Sequence, residues 1–436
     1  NSGTSVYPTQ KSGSSLAAPM ISGGIALLSQ AFPNHTPEQL TDRLLASANN
    51  SWFTPEGNTT FTTHGNGIKH GYHSTWGHGI PDFYAALKPI TSSANPAMSL
   101  YTGDSIQSSE SSSLSSSYIA TSPSFGNIIS QGLIGEVGYA YDALNGGFKY
   151  DMASRVNFTN DYEALIDLSS ELSKLDSPVS TSNNNLIEEG FSGTVSPLLK
   201  TNNLETTLTF GSNSLPVQSF FGSSIDSAID LSDFETSYLK SEEGGLSLSA
   251  NYGLENARLI IGVSNPVKHN NYSDSVIGSQ QSIIASLEYG DLSDTSVTLM
   301  SGITQEKDNL LGLQGSDAFS TVGAKSNTVF SALKAQSNFN DNLTLTGIAT
   351  LANTNMNQPE LSFIDSANNV RSSSLALVAS QKNITGDDHL SLSVSQPDRI
   401  HGGEMSIRMS NLAQSNGDIS YRNKNIELKA TGRQLV

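Results

Sequence analysis

The residues of this chain that most directly imply chemistry are in the segment Gly13-Ser14-Ser15-Leu16-Ala17-Ala18-Pro19. A helix that starts at Ser15 aims its unpaired backbone N–H groups, and the positive end of its dipole, at any anion forming beside the hydroxyl. Acyl transfer needs that arrangement, because the tetrahedral oxyanion must meet donors already in place. Glycine two positions before the serine permits a tight turn where a substrate comes close. Ser14 is the next candidate nucleophile but lacks the spacing to Pro19. The stretch Gly3-Thr4-Ser5-Val6-Tyr7-Pro8 reads similarly, yet its proline falls one residue early and no small-residue helix follows. The competing structural reading makes the serine a plain helix N-cap ahead of an apolar run.

The elements expected to hold this segment are helical. Ile21, Ile25 and Leu28 form the inner face of the first helix, and Ala17, Ala18, Gly23 and Gly24 allow close approach, as against a parallel sheet. A second helix starts after Thr36, with Pro37 at its first position and Gln39 completing a capping box ahead of Leu40 and Leu44. Further on, Gly77-His78-Gly79-Ile80-Pro81-Asp82 leads into Phe83-Tyr84-Ala85-Ala86-Leu87.

These residues resemble the end of the catalytic domain of the subtilisin-like serine proteases, whose nucleophile sits in a Gly-Thr-Ser-x-Ala-x-Pro motif. Gly13 to Pro19 departs from it only at Ser14, which keeps the hydroxyl of threonine. The likeness covers about the first ninety residues, and the wider layout resembles subtilase autotransporters of Gram-negative bacteria, in which a β-domain follows the protease. The resemblance implies that Ser15 is the nucleophile, that its backbone N–H serves the oxyanion hole, and that Gly13 and Ser14 support the turn. It also implies that the aspartate, the histidine and the oxyanion-hole asparagine precede the serine. Fourteen residues come before Ser15, so those partners are expected outside this chain, and the chain alone is expected to be inactive. No cofactor is visible, although many subtilases bind calcium.

His64, His70, His73 and His78 cluster within fifteen residues. Their spacing matches no HExxH pattern and no carboxylate is suitably interleaved, so the stretch reads as a loop insertion and not as a metal site. His35 precedes the second helix and reads as a surface residue.

Beyond residue 90 the texture changes. Residues 91–123 are dominated by Ser and Thr and read as a linker, because such a segment buries little apolar surface. Residues 124–184 are mixed, with a helix-like stretch at 162–172. From 185 to 436 apolar and small polar residues alternate between turn residues, as at Leu246, Leu248, Ala250, Tyr252 and Leu254, and again at Ile283, Ala285, Leu287 and Tyr289. The pattern recurs at Leu343, Leu345, Gly347, Ala349 and Leu351, and at Leu390, Leu392 and Val394. Antiparallel strands of this length, with a small polar second face, match an outer-membrane barrel. A soluble sandwich or β-solenoid alternates as well. The expected fold is thus an α/β subtilisin-like fragment over 1–90 followed by an all-β antiparallel domain, an outer-membrane-type barrel, incomplete because strand-like sequence runs on to residue 436.

Composition narrows the classes. The formal charge is −18, from 40 acidic against 22 basic residues, which offers nothing to neutralise phosphates and argues against nucleic acid. Without cysteine, disulfides, thiolate metal sites and thiol catalysis are excluded. Charged residues make up 14% of the chain, which fits exported β-proteins. The first residue is Asn1, no signal peptide is visible, and residues 16–28 are too short and interrupted to span a bilayer as a helix. Asn-x-Ser/Thr triplets such as Asn157-Phe158-Thr159 would matter only in a eukaryotic secretory protein. The expected function is a serine endopeptidase acting on protein or peptide substrates at the cell surface, in the outer membrane or outside a Gram-negative cell. The alternatives are an inactive subtilase-like adhesion protein and a soluble β-rich binding module.

Overall fold

The computed structural model describes residues 13–61, 67–91, 98–158, 193–195, 200–201, 203–211, 245–266, 280–291, 295–340, 342–359, 361–384, 386 and 388–429. Ser5, His64 and the stretch 162–172 lie outside the described residues.

Helix α1 (Ser14–Ala31) is followed by α2 (Pro37–Ala46), the strands β1 (Gly57–Phe61) and β2 (Ile68–Tyr72), and the single turn α3 (Phe83–Ala86). Next come β3 (Ser99–Tyr101), β4 (Ser111–Ser113), β5 (Ile119–Thr121), α4 (Ile128–Gly132), β6 (Val137–Tyr141), β7 (Gly147–Asp151) and β8 (Val156–Phe158). The remaining strands are β9 (Gly193–Val195), β10 (Leu204–Gly211), β11 (Gly245–Gly253), β12 (Ala257–Pro266), β13 (Gln280–Asp291) and β14 (Thr295–Lys307). They continue as β15 (Gln314–Gly315), β16 (Lys325–Asn338), β17 (Leu343–Met356), β18 (Ile364–Lys382), β19 (His389–Ser410) and β20 (Tyr421–Glu427). No described helix is long and apolar enough to cross a membrane.

The chain divides into two compact units that interleave in sequence. The first comprises residues 1–117, 137–151 and 409–422, and the second 118–136, 152–408 and 423–436. The boundaries expected near residues 90, 123 and 184 are therefore not those of the folded units.

In the first unit, α2 begins as its sequence dictates. The Thr36 hydroxyl accepts from the Gln39 N–H at 3.3 Å, and the Gln39 side chain accepts from the Thr36 N–H at 2.8 Å. Leu40 and Leu44 then bury their side chains with Leu28, Phe32 and Ala86, and Ile21, Ile25 and Phe83 pack against them. Each such apolar side chain contributes about 1.5–3 kcal/mol. Gly24 supplies the close approach, since a Cβ there would fall 1.9 Å from the Phe83 ring, whereas Gly23 faces open space. The parallel sheet expected beneath α1 is not among the described elements; α1 packs on α2 and α3 instead, and Leu16, Met20 and Leu27 stay exposed.

The expected linker is also corrected. Residues 98–117 carry β3 and β4, which join β6 and β7 in a sheet of order β4-β3-β6-β7. Leu100 is fully buried, and Tyr101, Tyr141, Ala413 and Ile419 form a core cluster. Serine-rich sequence suffices here because strand pairing satisfies the backbone and a few large side chains supply the burial.

In the second unit, the strands from β9 to β20, β15 excepted, form one sheet of eleven antiparallel strands in which neighbours in space follow the chain order. It is an open meander ending at β9 and β20, so the barrel closure expected from sequence is not among the described pairings. The alternating segments singled out above fall on β11, β13, β17 and β19, except that Leu254 lies just past the end of β11. The faces are inverted relative to a water-soluble sheet. Val297, Leu299, Ile303, Val329 and Leu333 are exposed, while Ser296, Thr298, Thr304, Ser326, Thr328 and Lys334 are buried. Hydroxyl pairs such as Ser282–Thr304 and Thr328–Thr354, each at 2.8 Å, run across the buried face. Glu288, also buried there, pairs with Arg258. A separate sheet of order β15-β5-β8 accompanies an apolar core of Ile119, Ile129, Leu311, Phe319 and Phe363.

Candidate functional site

Ser14 and Ser15 open α1 directly behind Gly13. The Gly13 carbonyl accepts from Leu16 and Ala17 N–H at 3.0 and 3.2 Å, so the Ser14 and Ser15 N–H groups stand ahead of the first intrahelical acceptor. No side chain caps this end, which removes the plain N-cap reading of the serine. A Cβ added at Gly13 would sit 3.9 Å from the Ser15 hydroxyl oxygen, so glycine leaves the approach to the hydroxyl unobstructed. Pro19, inside the helix, has no N–H to donate to the Ser15 carbonyl, which loosens the same turn. Ser15 is exposed, and among the described residues no imidazole or carboxylate hydrogen-bonds it. The geometry therefore holds an exposed hydroxyl at an open helix end, but among the described residues not the proton relay that would activate it.

The histidines lie on another feature. β1 and β2 form a hairpin in which Thr59 pairs with His70. The segment that follows folds back through a bridge between Asn49 and Ile80, with N···O distances of 2.8 and 3.0 Å. Gly79 is required there: its φ is 111°, and a Cβ would fall 2.2 Å from the Asn49 carbonyl oxygen. The fold-back brings His78 to His70, with the two Nδ1 atoms 3.2 Å apart, and His70 Nε2 lies 2.9 Å from the Ala48 carbonyl oxygen. Partial burial, and then the neighbouring His70, hold the pKa of His78 below the ordinary imidazole value. His73 lies 3.4 Å from Glu56. The Glu56 carboxyl titrates below its usual range because it accepts the Ser74 N–H. Trp52 and Trp76 meet edge to face at 5.1 Å, both about half exposed. None of these groups contacts Ser15, and His35 is half-buried rather than on the open surface.

The most tightly held polar group of this unit was not legible in the sequence. Arg43 and Asp142 are both fully buried and meet at 2.6 Å. They are ninety-nine positions apart, and only the hydrophobic neighbours of Arg43 on α2 hint that an arginine there needs a partner. Tyr141, next to Asp142, is buried, which raises its phenol well above the ordinary value near 10.

Neither the curated proteins nor the solved structures contain a match to this chain. Residues 3–72, the stretch that contains Ser15, α1, α2 and the β1–β2 hairpin, match the subtilase family of serine peptidases (Peptidase_S8).

Proposed function

We propose that this protein is a serine-type endopeptidase in which Ser15 attacks a peptide carbonyl to form an acyl-enzyme, and that the eleven-strand sheet exports it or tethers it at the outer membrane of a Gram-negative bacterium. The observation that carries the peptidase reading is the position of Ser15. It is the second residue of an uncapped helix that starts behind a glycine, inside the stretch that matches the subtilases. In the attack, the Ser15 oxygen bonds to the carbonyl carbon and its proton passes to a base. The carbonyl oxygen becomes an anion that the Ser15 N–H and the α1 dipole stabilise. Collapse expels the amine leaving group, which takes up the proton, and water then releases the acyl group. None of the described residues supplies the base, its orienting carboxylate or the second oxyanion donor to Ser15; protein or peptide chains are the substrates.

The membrane reading rests on the inverted faces of β11 to β18, apolar outward and hydroxyl-rich inward, which is the pattern of a strand between lipid and a polar lumen. In this reading the sheet is part of a closed barrel. The second reading, an inactive subtilase-like surface protein, is favoured by the absence of any described base on Ser15.

The deciding experiment is fluorophosphonate labelling of the full-length parent protein beside its Ser15→Ala variant. Labelling that disappears in the variant is expected; an intact parent that takes no label overturns the peptidase reading. Heat-modifiable migration on a gel tests the barrel separately, and a sheet that is water-soluble without detergent overturns it.

A further inference from the structure

We propose that His70 and His78, with the Gly71 carbonyl oxygen, form a binding site for a divalent transition-metal ion of the zinc class. The distances between the donor atoms carry the argument. His70 Nδ1 lies 3.2 Å from His78 Nδ1 and 3.0 Å from the Gly71 oxygen. Two imidazole nitrogens bound to a tetrahedral ion at roughly 2.0–2.1 Å must stand about 3.3 Å apart. The pair therefore already holds the separation of two ligands of one ion, and an ion can take the place of the contact between the rings with little change in that distance.

Both nitrogens of His70 face carbonyl oxygens, Nε2 that of Ala48 at 2.9 Å and Nδ1 that of Gly71 at 3.0 Å. The tautomer that binds an ion keeps its hydrogen on Nε2, donated to Ala48, and leaves the Nδ1 lone pair beside the Gly71 oxygen and His78. A backbone acceptor on the far nitrogen is how a metal-binding imidazole is oriented and made more basic. The His78 side is equally fixed. Its neighbours Gly77 and Gly79 have φ of 59° and 111°, the Asn49–Ile80 bridge pins the backbone, and the Phe61 and Tyr72 rings each lie 5.5 Å from its ring. Both imidazoles are half-buried, which leaves a face for water as a further ligand.

Two nitrogens and a carbonyl select Zn²⁺, Ni²⁺ or Cu²⁺ over Ca²⁺ and Mg²⁺, which prefer carboxylate cages. Among the described residues no third imidazole or carboxylate completes a cluster, so binding is weaker than at a four-ligand structural zinc site. The ion would tie β2 to the turn that leads into α3. The spacing of eight positions, split between a strand and a turn, matches no helical ligand pattern, which is why the sequence alone reads the four-histidine stretch as a loop insertion.

The test is Zn²⁺ titration of the full chain by calorimetry, with Co²⁺ as a spectroscopic substitute and circular dichroism to confirm folding. We expect one saturable equivalent, a visible Co²⁺ band that Zn²⁺ displaces, and a rise in unfolding temperature with Zn²⁺. His70→Gln and His78→Gln are expected to weaken binding at least tenfold, and His73→Gln to leave it unchanged. If His70→Gln fails to fold, His78→Gln decides alone. A wild-type chain that takes up no Zn²⁺, or a His78→Gln chain that binds as tightly as wild type, overturns the proposal.

Discussion

The Arg43 guanidinium meets the Asp142 carboxylate at 2.6 Å with both side chains wholly buried, and among the described residues the other partners of the pair are backbone groups and aromatic rings. Arg43 also donates to the Ala86 and Lys88 carbonyls at 3.0 and 3.3 Å and lies 4.1 Å from the centre of the Phe32 ring. Asp142 accepts from the Ile90, Leu144 and Gly146 N–H groups. The pair thus joins α2, the end of α3 and the β6–β7 hairpin into one body.

Removing one partner leaves the other charge buried and unanswered. Asp142→Asn or Arg43→Met is expected to destabilise the first unit by about 3–5 kcal/mol. Hydrogen exchange should show α2 and the β6–β7 hairpin losing protection together. Loss confined to one element would mean the pair is a local contact only.

Gly23 and Gly24 are adjacent but should respond oppositely. Gly24→Ala drives a methyl into the Phe83 ring and is expected to cost about 1–3 kcal/mol. Gly23→Ala meets nothing and should stabilise α1 by up to about 1 kcal/mol. Denaturant midpoints of the two variants check the signs.

Tyr141 ties β6 to residues 409–422. Its hydroxyl donates to the Asn411 carbonyl at 3.0 Å and accepts the Ala413 N–H at 2.9 Å. Tyr141→Phe leaves that buried N–H unpaired and is expected to cost about 1–3 kcal/mol. Because burial raises this phenol above its ordinary value, its contribution is complete below pH 10 and falls as the pH climbs through 10 toward the higher folded value. Wild-type unfolding temperature should drop more steeply above pH 10 than that of the phenylalanine variant.

Leu299 and Leu333 are opposed across β14 and β16, and both are exposed. If this face meets lipid, Leu299→Arg near the middle of the bilayer costs about 2–4 kcal/mol, measured by urea unfolding in lipid vesicles. A soluble sheet would accept the arginine at no cost or gain solubility from it.

Much of this was legible in the sequence. Thr36, Pro37 and Gln39 form a local code, and a cap needs only its own turn, so α2 starts where the sequence places it. The alternation at Leu343 to Leu351 marks β17, because a strand with one outward face must keep period two. The serine run near residue 111 was misread because composition reports how much surface a segment can bury alone, not which neighbour covers it. Arg43–Asp142 escaped for a related reason: it depends on a long-range closure that places two ordinary polar residues in contact, while the His70–His78 contact needs the fold-back at Gly79 that spacing does not report. The Ser15 turn was legible as a helix start, because a glycine ahead of a small and apolar run marks it locally.

Residues 409–422 complete the first unit although residues 152–408, which belong to the second, are made before them. During synthesis, Tyr101 and Tyr141 wait for Ala413 and Ile419, their partners in one core cluster, until that intervening stretch has left the ribosome. Ordering of the unit that carries Ser15 is thereby timed by a segment distant in sequence, and a chain interrupted before residue 409 would carry the serine on an unfinished body.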